Sequence, residues 1–128
     1  MHKNFLKIAF ILGAVAVVLG AFGAHGLKKL VSPEAVNTFD TGVRYLFYHV
    51  FALAITAILF EKYPGKPLLW AARFFLIGIL LFSGSLFLLT ALKATNTVGL
   101  SGIGAITPIG GLFFIAGWVS LVTATKGK

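Results

Sequence analysis

Apolar residues run almost unbroken through four stretches of the chain, and the charged residues fall between them. Lys, Arg, Asp and Glu leave uncharged intervals at Ile8 to Leu27, Tyr45 to Phe60, Phe74 to Leu92 and Ala94 to Thr125, of 20, 16, 19 and 32 residues. About 20 apolar residues of helix cross a hydrocarbon core about 30 Å thick. The pattern therefore predicts an all-α integral membrane four-helix bundle of antiparallel, up-down topology. It forms one domain over residues 1–128, with spans over about 5–26, 42–61, 68–92 and 102–124.

Local punctuation sets the ends. Ser32, Pro33 and Glu34 read as an N-cap, a first-turn proline and an acid that suits the helix dipole. The second helix thus begins ahead of the membrane, as a juxtamembrane start over 33–41 whose apolar stripe is Val36, Phe39 and Val43. Asp40 and Arg44, spaced i, i+4 with the acid first, predict an ion pair. Pro64 and Gly65 turn the second loop, and Pro67 starts the third span. Asn96, Gly99, Gly102 and Gly104 loosen the approach to the fourth, where Thr107-Pro108 is either a fresh helix start or a kink.

Small residues supply packing faces. Ala9, Gly13, Ala16, Gly20 and Gly23 lie at spacings of 4, 3, 4 and 3, one stripe along the first span. Ala71, Gly78 and Ser85 repeat every seven residues in the third span, as do Gly110 and Gly117 in the fourth. Gly84 and Gly111 add to these sets. Such stripes let transmembrane helices approach closely. We read the first-span stripe as packing within the chain and keep a homo-oligomer open as the alternative use of a spare face.

Composition enters as a test of the membrane reading. The chain is 59% hydrophobic and 11% charged, with a mean hydropathy of +0.99, against about a quarter charged in soluble domains. The net charge of +8 would suggest a nucleic-acid surface in a soluble protein, but here the cations flank spans, so no nucleic-acid partner is expected. Membrane lipid is the expected partner, with a second copy or a larger membrane complex beside it. Lys3 and Lys7 before the first run, with Ala21-Phe22-Gly23 after it, also fit a cleavable leader; we take the run as a retained span.

The cations then orient the molecule. Lys3, Lys7, Lys62, Lys66, Arg73, Lys126 and Lys128 make seven on the side of the termini, against four, Lys28, Lys29, Arg44 and Lys93, on the other. The bias predicts cytoplasmic termini. Tyr63, Trp70 and Trp118 read as aromatic anchors on the terminal side, with Tyr45 and Tyr48 near the opposite interface. Arg44 and Arg73 lie just inside their spans and read as snorkelling helix-end residues.

Candidate chemistry is sparse. Without cysteine there is no disulfide framework or thiolate site, and no metal or cofactor is expected. Thr38, Thr41, Tyr45, His49 and Thr56 share one face of the second helix, which should look into the bundle. His49 lies about 7 Å deeper than Arg44, where a histidine is neutral, hydrogen-bonded or beside water. It is either a proton relay or a packing residue bonded to Tyr45 or a neighbouring helix. Antiparallel order brings the end of span one, the start of span two, the end of span three and the start of span four into one leaflet. His49, Tyr45, Thr41, Ser83, Ser85 and Thr107 are accordingly a candidate polar pocket. His25, before Gly26, is read as capping helix-end carbonyls.

No catalytic residue emerges. His49 has no acid at matched depth, and the HExxH and Gly-x-Ser-x-Gly patterns are absent. The leading reading is a non-catalytic bundle that associates with lipid, itself or a larger membrane complex. The alternative is a small transporter or channel-like assembly around His49, although such carriers usually keep a charged group in the membrane.

Four segments carry a family resemblance: Leu19-Gly-Ala-Phe-Gly-Ala-His-Gly-Leu27, Phe39-x-Thr-Gly-x-x-Tyr-x-x-x-His49, Phe82-Ser-Gly-Ser-Leu-Phe87, and Thr107-Pro-Ile-Gly-Gly111 with Gly117-Trp118. Together, in this order, they resemble the YgdD/YwdK family of small membrane proteins. The resemblance implies a four-helix protein of the bacterial inner membrane, in a group of unknown function. It implies no reaction, substrate or catalytic residue.

Overall fold

The computed structural model describes residues 1–63, 65–95 and 101–126. Pro64 of the predicted turn, Asn96 and Gly99 of the predicted loosening, and Lys128 of the charge count lie outside the described residues. All described regular structure is helical: α1 (Lys3–Ala24), a short 3-10 turn (Leu27–Lys29), α2 (Pro33–Leu59), α3 (Lys66–Gly78), a π-helical turn (Ile79–Ser83), α4 (Gly84–Ala94), α5 (Ser101–Gly104) and α6 (Ile106–Thr125). With α3, the π turn and α4 taken as one span, the described residues hold four helices long and apolar enough to cross a membrane.

Helix starts follow from local chemistry. Ser32 Oγ accepts from the Ala35 amide at 3.3 Å, and Pro33 opens α2 with Glu34 in its first turn, satisfying an otherwise orphaned donor. His2 does the same for α1, its Nδ1 accepting from the Phe5 amide at 3.2 Å. Gly65 precedes α3 at φ 132°, a conformation glycine alone adopts at little cost. Pro108 falls in the first turn of α6, after Ala105. Thr107-Pro108 thus lies in the first turn of α6, just after the break at Ala105 that separates it from α5, and the Thr107 hydroxyl is not its cap.

Small residues decide which helices meet. A methyl group on Gly13 would lie 3.6 Å from Val50, one on Gly20 3.5 Å from Val43, and one on Gly23 3.0 Å from the Phe39 ring. Rising numbers on α1 meet falling numbers on α2, so the pair is antiparallel and the first-span stripe faces its own neighbour. Ala9 and Ala16 on the same stripe are fully buried.

A second interlock joins α3 and α6, where phenylalanines fill glycine gaps in both directions. Phe75 covers Gly117, Phe114 covers Gly78, and Phe82 covers Gly110 with its backbone. The π turn supports this register. Its wider winding lets Phe82 face α6 while Ser83, the next residue, faces Gly42 of α2. At that crossing a methyl on Gly42 would come within 2.8 Å of the Phe87 ring, a close approach that periodicity did not single out.

The apolar start of α2 is used inside the protein. Phe39 and Val43 are buried with Leu27, and Val36 and Phe87 pack on them. The predicted Asp40–Arg44 ion pair is not formed. Arg44 Nη2 donates instead to Thr41 Oγ1 at 3.2 Å, one turn back on the same exposed surface, where an ion pair would contribute little.

Candidate functional site

The polar side chains of the spans start from one constraint: a group without water must find its hydrogen bond within the protein. Several hydroxyls fold back on their own helix. Thr56 donates to the Ala52 carbonyl at 2.7 Å, and Thr90 to the Leu86 carbonyl at 2.9 Å. Others cross between helices. Ser83 Oγ donates to the Gly42 carbonyl at 2.7 Å, tying the π turn to α2. Ser85 Oγ donates to the Phe82 carbonyl at 2.9 Å and also meets Thr107 Oγ1. A hydroxyl has one proton, so Thr107 is the donor in that pair.

His49 is the most elaborately held. It is 4% exposed. Nδ1 lies 2.7 Å from the Tyr45 carbonyl, and the Trp118 indole Nε1–H donates to Nε2 at 3.1 Å. A carbonyl only accepts and an indole N–H only donates, so the partners dictate a neutral imidazole with its proton on Nδ1. Phe114 stacks on the ring at 3.5 Å between centroids with an interplanar angle of 4°, and Phe75 lies at 5.7 Å.

The depth of this cluster corrects the predicted layout. His49 stands about 15 Å from the Leu59 end of α2, and Trp118 about 10 Å from the Thr125 end of α6. His49 is therefore near mid-span and not confined to the leaflet of the first and third loops, and Trp118, about a third of the way in from the terminal side, turns its indole N–H inward to it. The signal that Trp118 belonged to the site was present in the segment Gly117-Trp118, but its aromatic type pointed to the interface.

The six candidate pocket residues do not share one cavity. A lateral groove of about 550 Å³ between α2 and α6 is lined by Tyr45, Tyr48, His49, Phe82, Phe114 and Trp118, among others. Thr41, Ser83, Ser85 and Thr107 do not line it. Thr41 donates to the Asn37 carbonyl at 3.0 Å near the start of α2, while Ser85 borders a separate apolar recess with Leu88 and Ile103. His25 is exposed, and its backbone N–H, not its ring, reaches the Phe22 carbonyl at 3.2 Å. Arg73 lies over the Trp70 ring at 5.2 Å. Gly84 and Gly111 approach other groups only at 4.0 and 3.9 Å, so they are not close-packing positions.

The arrangement holds helices in register. No buried side-chain nitrogen or oxygen lacks a partner among the described residues. Nor do three His, Cys, Asp or Glu side chains gather there in a group suited to a metal ion. Ser83→Ala is expected to lower the stability of the folded chain by about 0.6 to 1.7 kcal/mol, the range for hydrogen bonds between transmembrane helices. Unfolding of the variant in bicelles checks it; an unchanged midpoint would remove Ser83 as the tie between the π turn and α2.

The chain is similar to proteins known only as membrane proteins. Residues 19–111 match the family model described as protein of unknown function (DUF423). The UPF0382 membrane protein YwdK of Bacillus subtilis is 40% identical over 124 residues, covering 93% of this chain and 96% of its own length. A UPF0382 membrane protein of Haemophilus influenzae is 40% identical over 124 residues, with 94% and 92% covered. The UPF0382 inner membrane protein YgdD of Escherichia coli is 35% identical over 130 residues, with 100% and 95% covered. None of these names carries an enzymatic activity. No solved structure matches the chain.

Proposed function

This chain belongs to the DUF423 family of membrane proteins of unknown function, and we propose that it acts as a non-catalytic helical bundle of the bacterial inner membrane. Its work is association, with lipid, with another copy or with a larger membrane complex. The observation that carries this reading is the internal satisfaction of the buried polar side chains among the described residues. Catalysis and proton-coupled transport need a group whose protonation or hydrogen bonding changes during the cycle. His49 has both nitrogens committed to partners that fix one tautomer, and of the three acidic residues Glu34 and Asp40 lie in the first eight residues of α2 and Glu61 just past its end.

Orientation follows from charge. Seven cations on the side of the termini against four on the other support cytoplasmic termini, and the inner-membrane name of the Escherichia coli relative supports the compartment. A reporter fused after Lys128 is expected on the cytoplasmic side, and an extracytoplasmic signal overturns the orientation.

The function itself is tested in proteoliposomes. Under an imposed proton gradient the protein and its His49→Ala variant are both expected to show only the leak of empty vesicles. Proton-dependent flux in the parent that disappears in a folded His49→Ala variant would establish transport in place of the bundle role.

A further inference from the structure

The loop between the second and third spans is basic in sequence, with Lys62, Lys66 and Arg73 close around it and one acid, Glu61. That acid is engaged: the Met1 ammonium donates to Glu61 Oε1 at 2.7 Å and holds its carboxyl below the ordinary range. Lys66 and Arg73 have no carboxylate partner among the described residues. Arg73 is the sharper case, since it stands seven residues, about 10 Å, into the span from Lys66. An arginine at that depth needs a counter-charge or a path to the headgroups.

Beside these cations runs an apolar groove of about 450 Å³ between the start of α3 and the end of α6, lined by Lys66, Trp70, Phe74, Val119 and Thr123, among others. Its walls offer little competing polarity. Thr123 donates to the Val119 carbonyl at 3.1 Å and Ser120 to the Ala116 carbonyl at 2.8 Å, each within α6. From Lys66 to Phe74 the groove descends about 12 Å along the helix, the depth of the upper part of an acyl chain. At headgroup level the Trp70 indole N–H has no hydrogen-bond partner among the described residues, and Arg73 lies over the same ring.

We infer that this groove is a binding site for an anionic phospholipid. One acyl chain lies between Phe74 and Val119, the phosphate sits between Lys66 and the Arg73 guanidinium, and the Trp70 N–H donates to a headgroup or ester oxygen. The occupant follows from charge complementarity: uncompensated cations with a free donor crown an apolar slot. A free anion would leave the slot empty, and a zwitterionic lipid would bring its own cation to Lys66. The inference rests on reading the protein as a lipid-associating bundle and names the lipid and the place.

The test is native mass spectrometry of the full chain extracted from vesicles of equimolar phosphatidylglycerol and phosphatidylcholine. The parent is expected to retain phosphatidylglycerol over phosphatidylcholine. Lys66→Gln should reduce that preference about fivefold, the weight of one lysine beside an anionic surface. Lys29→Gln, on the opposite side, should leave it unchanged, and Val119→Phe should lower retention by crowding the slot. Equal retention of the two lipids, an unaltered preference in Lys66→Gln, displacement of the lipid by millimolar inorganic phosphate, or a dimer mass in place of bound lipid each overturns the site. Failure of the site leaves the bundle reading standing, whereas flux through a parent that still holds phosphatidylglycerol removes the bundle reading and leaves the site.

Discussion

Gly110→Ala should be the most damaging single methyl addition in the protein. The new Cβ would meet the Phe82 backbone, 2.8 Å from its Cα and closer still to its amide nitrogen. Backbone cannot rotate away as a side chain can, and retreat of Phe82 would strain the π turn and the Ser83–Gly42 hydrogen bond beside it. Overpacking of this kind costs about 1–3 kcal/mol, and the obstruction here places the expected loss at the upper end. Gly111→Ala is the internal control, because its Cβ would meet only Phe82 Cδ2 at 3.9 Å. With space available, replacing glycine within a helix gains up to about 1 kcal/mol. Two adjacent glycines should therefore respond in opposite directions when unfolding is followed in bicelles. A Gly110→Ala midpoint at or above that of Gly111→Ala would show that α6 does not seat on Phe82.

The contrast marks where sequence reasoning works and where it stops. The four spans were legible because the charges that bound them are few and membrane thickness is fixed. The α1 stripe was legible too, since five small residues at helical spacing describe one face whatever it packs against. Gly110 and Gly117 were visible as small residues, but their partners were not. Pairing Phe75 with Gly117 and Phe82 with Gly110 depends on the register of α3, and that register includes the π turn. Ile79–Ser83 has no proline and no distinctive composition, so nothing in it announces a change of winding. Gly42 was likewise passed over, because a single glycine makes no stripe.

The six candidate pocket residues are divided for a related reason. Reading helix faces placed Tyr45 and His49 together correctly, since they share α2. It could not see that Ser83, Ser85 and Thr107 find partners on other lines of contact, as each depends on the angle between helices. Trp118 is 69 positions from His49 in the chain. The usual preference of tryptophan for the interface drew attention away from its N–H as a partner for His49.

That pair supplies the second large effect, a coupling between His49 and Trp118. Trp118→Phe keeps an aromatic ring against Phe75 but removes the donor to Nε2, leaving a buried acceptor unpaired in a medium without water. Such orphaned groups cost about 1–3 kcal/mol. His49→Phe removes the acceptor and the Tyr45 contact, leaving the indole N–H without its partner. In the double variant neither orphan remains, so the two losses should fall short of adding by about 1 kcal/mol, within the range of hydrogen bonds between membrane helices. Losses that add to within about 0.5 kcal/mol would mean the two residues stabilise the bundle separately. Nitrogen NMR of the imidazole distinguishes the pairing from packing alone: Trp118→Phe should keep the Nδ1–H tautomer, which the Tyr45 carbonyl still holds, but shift the Nε2 resonance as its donor is lost, while a substitution at Ser83 should leave both nitrogens unchanged. The same measurement bears on function, because an imidazole held by an acceptor on one side and a donor on the other can take up a proton at Nε2 only after the Trp118 N–H leaves it.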